Sequence, residues 1–262
     1  MSRISQADWE LFRNLARREI RGRYKGSFLG LLWTLIIPLV LMATYTVVFS
    51  VLWQVADLPN YWLYLLVGIG FWAFFGGGFI VGSTSLVSNQ NLITKVNFPR
   101  VMLPIAALSS QAITMVVMIS IIVPASILVG SGSVAALLLL PVVFVPTAML
   151  VVGLALAMSV LNVYFRDVEH IVGALLIPWF FITPIIYSLD ALPQLKEHEW
   201  ARTLLQYGNI ATPFVMSLQD ILYYGRAPGL GQWAYMIGVG SAVLVGGYLL
   251  FDRLQRDLAV EL

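Results

Sequence analysis

Six apolar stretches dominate the chain: about 28–53, 61–84, 101–129, 134–161, 169–189 and 232–251. A helix crosses roughly 30 Å of hydrocarbon with about 20 apolar residues, and each stretch is long enough. Each must be helical, because an open strand edge would leave backbone donors without partners in lipid. The composition agrees. Only 11% of the 262 residues are charged and 60% are apolar, whereas a soluble domain carries about a quarter charged. The reading is one membrane domain over residues 1–262, an all-α integral membrane protein with six transmembrane helices. Asp57, Pro59 and Asn60 divide the first two spans, and Gly-Ser-Gly-Ser at 130–133 makes a tight turn between the third and fourth.

An even number of spans returns both termini to one side. Twelve of the 15 Lys and Arg residues then share that side, among them Arg21, Arg23, Lys25, Lys95, Arg100 and Arg166. Only Lys196, Arg202 and Arg226 lie opposite. The positive-inside rule places the termini in the cytoplasm. The first 27 residues are too charged for a removable signal peptide. The chain has no cysteine, which excludes disulfides and thiolate sites.

Between Val101 and Leu189 the only Asp, Glu, Lys, Arg or His residues are Arg166, Asp167, Glu169 and His170. They fall in the short cytoplasmic turn between spans four and five. Asp167 as a cap, Glu169 in the first turn of the fifth helix and Arg166 at the carbonyl end of the fourth suit the helix dipoles. One reading is a well-capped turn and no more. The other is a turn that touches a cytoplasmic partner or holds an inner gate.

Three segments are not simple spans. Residues 5–20 place Trp9, Leu11, Phe12, Leu15, Ala16 and Ile20 on one helix face and Glu10, Arg13, Asn14, Arg17 and Arg18 on the other. Ser5 and Asp8 resemble a capping box. This is the pattern of a helix in the membrane interface, with a soluble helix packed on a partner as the alternative. Arg21, Arg23 and Lys25 follow, a cluster suited to anionic lipid or to the phosphate of a lipid-linked substrate. Residues 88–100 carry Leu92, Ile93, Val96 and Phe98 between polar ends and are expected to form a short helix ended by Pro99. Such a helix suits a groove on another protein, the alternative being a plain connection. Residues 190–231 form a long external segment, in which Thr212-Pro213 starts a helix and Gly225 stops it. That helix is too short to cross, so it is read as re-entrant and part of an outer gate.

Aromatics gather in 71–79, which contains Trp72, and at Tyr45, Phe49, Trp53, Trp179, Phe180 and Tyr187. They are either membrane-belt and lipid-facing residues or the stacking wall of a glycan channel. Gly78-x-x-x-Gly82 and Gly153-x-x-x-Ala157 are read as weak candidates for a dimer face. There is no G-x-x-x-x-G-K-[ST]. His170 and His198 lie on opposite sides and cannot share a metal, so no metal site is expected. No Ser–His–Asp set can be assembled, so no catalytic residue is assigned. No ionisable residue sits mid-span, which counts against a proton-driven carrier.

Three stretches carry a family resemblance: REIRGRYKGSFLGLLWTLIIPL at 18–39, NLITKVNFPRVMLP at 91–104 and LNVYFRDVEHIVGALLIPWFFITPIIY at 161–187. Their order and spacing resemble the membrane subunits of ABC-2 type exporters of lipid-linked polysaccharide, O-antigen, capsule, galactan or teichoic acid. The resemblance implies a homodimer in the bacterial cytoplasmic (inner) membrane with two separate ATPase chains that bind the ATP and Mg. This chain would have no cofactor of its own and no nucleic-acid partner. It implies that Asn91, Leu92, Lys95, Phe98 and Arg100 seat in the ATPase, with Arg166 and Asp167 beside them. It also implies that spans one and five line a channel carrying Tyr45, Phe49, Trp53, Trp72, Trp179, Phe180 and Tyr187. Other readings are an exporter of a lipid or drug, a membrane enzyme acting on polyprenyl lipid, and a passive channel.

Overall fold

The computed structural model describes residues 6–52, 58–96, 98–130, 133–191 and 198–255, and among them there are helices and turns and no strand. The expectations that involve Arg3, Ser5, Trp53, Asp57, Lys196 and Arg256 fall outside the described residues, as do 131–132 of the Gly-Ser-Gly-Ser turn.

Helix α1 spans Gln6–Tyr24. The first span is composite: a 3-10 turn Gly30–Leu32, helix α2 Trp33–Thr46 and a π-turn Val47–Leu52. Helix α3 is Tyr61–Thr84, and a 3-10 turn Val87–Asn89 leads into the six-residue α4, Gln90–Lys95. Helix α5 is Met102–Leu128, followed by α6, Val134–Leu137, and α7, Leu140–Tyr164. Then come α8, Asp167–Ile182, the short α9, Glu199–Thr203, α10, Thr212–Leu222, and α11, Leu230–Leu254.

Among the described residues five helical stretches are long and apolar enough to cross a membrane: Gly30–Leu52, Tyr61–Thr84, Met102–Leu128, Val134–Tyr164 and Leu230–Leu254. The expected fifth span, 169–189, is cut short. Helix α8 has 16 residues, about 24 Å at 1.5 Å per residue. It ends because Pro184 forces the residue before it out of helical space, and Thr183 sits at φ −81°, ψ 136°. The extended piece beyond it is held by α3. The Tyr61 hydroxyl donates to the Ile186 carbonyl (2.5 Å), and the Tyr64 hydroxyl donates to the Tyr187 carbonyl (2.8 Å). Gly68 leaves room for Ile185, since a Cβ there would stand 2.8 Å from its Cγ2.

Helix α3 is the axis of the bundle. Of the 18 most apolar consecutive residues in each, 72% are buried in α3 and only 6% in the first span. A second apolar cluster gathers Leu15, Leu86, Ile93, Leu103, Val160, Val163 and Phe251. These belong to α1, the two ends of the α3–α5 connection, the end of α7 and the end of α11. The N-terminal helix and the end of the last helix therefore share one end of the bundle. The chain passes from that end to the other between Asp167 and Tyr187.

Glycines decide how closely the helices approach. Gly78 and Gly82 face Val151 and Ala155 of α7, and Gly153 faces Val243 and Gly247 of α11. Both motifs expected to offer a dimer face are thus consumed inside the chain. Lipid supplies no hydrophobic drive between helices, so such contacts work through backbone proximity and dispersion. Gly240 meets the Pro146 carbonyl one heptad before Gly247 meets Gly153, so α7 and α11 run parallel in register. Gly247→Ala should cost about 1–3 kcal/mol by overpacking, read as a lower unfolding midpoint in detergent. Gly246→Ala, where a Cβ meets nothing within 4 Å, should stay within about 0.5 kcal/mol of the parent.

Candidate functional site

The end of the bundle that holds both α1 and the end of α11 presents a polar, partly apolar surface. On α4, Ile93 is buried and Leu92 half-buried, whereas Asn91, Lys95 and Val96 are exposed. The helix stops at Lys95, with Val96 already extended, so it ends well before Pro99 rather than at it. Arg18 of α1 donates to Asn89 Oδ1, and the Asn89 amide donates to the Ser85 carbonyl (2.8 Å). This fixes the loop to α1 and to the end of α3. Phe98 is half-buried against the same cluster. Arg100 donates to the Gln255 carbonyl just after α11, so it braces the surface from within.

Arg166 and Asp167 are exposed at this end beside Phe165, which is 65% exposed. The cap expected from Asp167 is absent: Arg166 holds the N-cap position with no side-chain bond. Asn162 takes the role from the previous helix, its Oδ1 accepting the Glu169 N–H at 3.1 Å. The four ionisable side chains of the turn are left facing outward. Helix α1 lays Leu11, Phe12, Leu15 and Ala16 on the bundle, with Trp9 61% exposed. Much of its apolar face therefore packs on protein rather than lipid. Arg21, Arg23 and Lys25 are all exposed, and Arg23 also reaches toward Ser110 of α5, 3.5 Å from its Oγ.

The aromatic residues divide. Tyr45 and Phe49 of the first span, Trp72 of α3, and Trp179 and Phe180 of α8 form one connected layer. Ring centroids lie 5.9 Å apart for Tyr45–Phe180, 5.6 Å for Trp72–Phe180 and 6.3 Å for Trp72–Trp179. These edge-on and tilted contacts are the preferred aromatic geometries. Tyr187 stands apart beyond the end of α8, its hydroxyl donating to the Ile182 carbonyl (2.7 Å). The faces of the first span and α8 beside the layer are bare: Val40, Val47, Ile177, Phe181 and Ile182 are all exposed.

At the opposite end, the segment expected to be a gate is tied by polar contacts. Asn209 Oδ1 accepts from Trp179 Nε1 (2.7 Å) and from the Ala211 N–H (3.0 Å), while Nδ2 donates to Thr183 Oγ1 (2.9 Å). Asn209 thereby starts α10, a role assigned from the sequence to Thr212. The N-cap is Ala211, and the Thr212 hydroxyl is buried without a partner. Buried Asp220 of α10 accepts from Arg226 Nε (2.7 Å) and Gln232 Nε2 (3.0 Å), fastening the start of α11. Sequence reasoning passed over Asn209, Asp220 and Gln111. The available signal was polarity at a place that otherwise reads apolar, as for Gln111 in the third span. Among the described residues no group of His, Asp and Glu could hold a metal.

The model of the ABC-2 type transporter family matches residues 10–223, from α1 through α10. The chain belongs to the ABC-2 type transporter family. It is 29% identical over 246 residues to the O-antigen export system permease protein RfbA of Myxococcus xanthus, covering 94% of this chain and 93% of that protein. Two proteins of the same name from Klebsiella pneumoniae are each 26% identical over 246 residues, with 94% of this chain and 92% of theirs covered. The family match includes the loop with α4, the Arg166–Asp167 turn and the aromatic layer. Asn209→Ala removes two hydrogen bonds that join the end of α8 to the segment before α10, and a third to the Ala211 N–H. It should cost about 1–3 kcal/mol, read by detergent unfolding, and should shift tryptophan emission as Trp179 Nε1 loses its acceptor.

Proposed function

We propose that this chain is the permease subunit of an ATP-binding-cassette exporter. On this reading it moves lipid-linked polysaccharide of the O-antigen class across the bacterial inner membrane. Likeness over nearly the whole length to permeases named for O-antigen export supports this reading and is its main support. Two copies would pair through the bare faces of the first span and α8, with the aromatic layer of Tyr45, Phe49, Trp72, Trp179 and Phe180 beside the pathway. Aromatic rings can stack on the apolar C–H faces of sugars without anchoring any one of them, which suits a sliding polymer. The passage between Asp167 and Tyr187 would serve as the sixth crossing, with α8 tilting little and the Pro184 segment finishing the path. Both termini would then face the cytoplasm, in keeping with the excess of cations at that end.

Two separate ATPase chains would dock beneath. Exposed Asn91, Lys95 and Val96 on α4, with Arg166 and Asp167 alongside, suit a groove on such a partner: a short helix with an anchored apolar side and a free polar side. The anchoring is what makes a lever. Ile93 belongs to the apolar cluster that holds Leu103 of α5 and Val160 of α7, so a displacement of α4 would be passed to the spans.

Reconstituted alone, the chain should hydrolyse no ATP. With its ATPase it should show glycan-stimulated turnover and export. Lys95→Glu with Asn91→Ala should cut export by about tenfold or more, the scale of losing two interfacial polar contacts. Folded yield should be unchanged, since both side chains are exposed. ATP hydrolysis by the isolated chain, or full export by the double variant, would reject this reading.

A further inference from the structure

Helix α10 belongs to the segment read from the sequence as part of a gate, yet all of its residues except Met216 are buried. We propose that α10 and the turn before it form a fixed clamp on the bundle, so that a pathway opens past them, on the side of the first span, rather than by their withdrawal. This rests on the exporter reading, which makes the end of the bundle away from the termini the outer one.

Three observations carry this. A helix at a surface keeps one face toward its solvent, whereas α10 is enclosed on all sides, with Phe214, Val215 and Ile221 fully buried. Next, its polar groups are satisfied by several neighbours. Gln219 Nε2 donates to the Pro184 carbonyl beyond α8 (3.0 Å), and the Leu222 carbonyl accepts from Ser126 Oγ of α5 (2.5 Å). Asp220 holds Gln232 of α11 and takes Arg226 through both Nε and Nη2, each 2.7 Å from Oδ1. Just past the helix, the Tyr223 hydroxyl donates to the Pro59 carbonyl (2.5 Å), and the Tyr223 ring meets that of Tyr64 of α3 edge-on at 5.3 Å. The turn before the helix, Leu204–Gly208, is tied to α11, because the Tyr235 hydroxyl donates to the Tyr207 carbonyl (2.7 Å). The segment is thus fastened to α3, α5, α11 and the end of α8. Withdrawal would strip a buried carboxylate and a buried amide of their partners together, which is costly in an apolar setting. Finally, the first span is held quite differently. Only 6% of its 18 most apolar consecutive residues are buried. It meets α8 through ring contacts such as Tyr45–Phe180, which are weak beside a bonded buried carboxylate. At the outer end its helix gives way to the π-turn Val47–Leu52, a geometry that is rare in helices and frequent at functional places. Thr46, at that junction, has a buried hydroxyl with no partner among the described residues.

The chain has no cysteine, so introduced thiols can be addressed alone. Tyr207 and Tyr235, whose ring centroids lie 5.5 Å apart, link the turn before α10 to α11. The full-length chain carrying Tyr207→Cys and Tyr235→Cys is reconstituted with its ATPase and joined by a short bifunctional methanethiosulfonate. Glycan export is measured before cross-linking, after it, and after release by reductant, with the extent of cross-linking read by peptide mass spectrometry. Export by the cross-linked protein should stay within about twofold of the reduced protein, the scale of a change that disturbs no essential feature. Loss of export that reductant restores would overturn the clamp and leave the exporter reading standing. Absence of export by the parent chain with its ATPase would overturn the exporter reading, and this inference with it. Gln219→Ala supplies an independent sign. Loosening a clamp displaces the end of α8 and should lower export about threefold, the scale of one net hydrogen bond. Loosening the latch of a gate would instead raise export, or open an ion leak in liposomes, and either result would overturn the proposal. If Gln219→Ala lowers the folded yield, Arg226→Gln, whose side chain is 60% exposed, replaces it with the same expected direction.

Discussion

The whole bundle depends on helices touching without help from water. In lipid, apolar side chains gain nothing by leaving the solvent, so cohesion comes from close backbone approach and from internal hydrogen bonds. Gly153 against Gly247, Gly82 against Ala155 and Gly240 against Pro146 supply the first. They bind α7 to α3 on one side and to α11 on the other. The second is supplied at the ends, where Tyr61, Tyr64, Asn209 and Asp220 satisfy carbonyls and side chains that no helix serves.

That economy explains why the first span and α8 are so differently placed. Helix α3 is enclosed, and α7 is glycine-matched to its neighbours. The first span meets the bundle mainly through the aromatic layer and the Pro38 region, leaving most of its length uncovered. Helix α8 is joined through Trp179 and Phe180 and is shortened by Pro184. The two least enclosed elements therefore stand beside the aromatic layer of Tyr45, Phe49, Trp72, Trp179 and Phe180.

The sequence was informative where a property depends on one stretch alone. Five spans came within a few residues of their observed bounds, because transfer into hydrocarbon is set by local composition. The short helix within 88–100 and the helix that starts at Thr212 were also legible. Capping was less so. Asp167 and Thr212 are good caps by residue type, yet Asn162 and Asn209 took those roles. Asn162 reaches the Glu169 N–H across the turn between two helices, whereas Asn209 bonds the Ala211 N–H two residues on and is held in place by Trp179 and Thr183 of distant sequence. The α8 boundary could have been drawn from Pro184, whose effect on Thr183 is local.

By itself the sequence determined that this chain spans a membrane several times, that its cations crowd one end, and which family pattern it follows. Each of these is additive along the chain. Only the tertiary structure decided that the glycine motifs are spent within one copy, that Tyr187 parts from the other aromatics, and that Arg23 reaches toward Ser110 of α5. Those outcomes depend on distances between residues tens of positions apart, and in a bilayer, where apolar faces are interchangeable, side-chain shape rather than polarity chooses between the pairings.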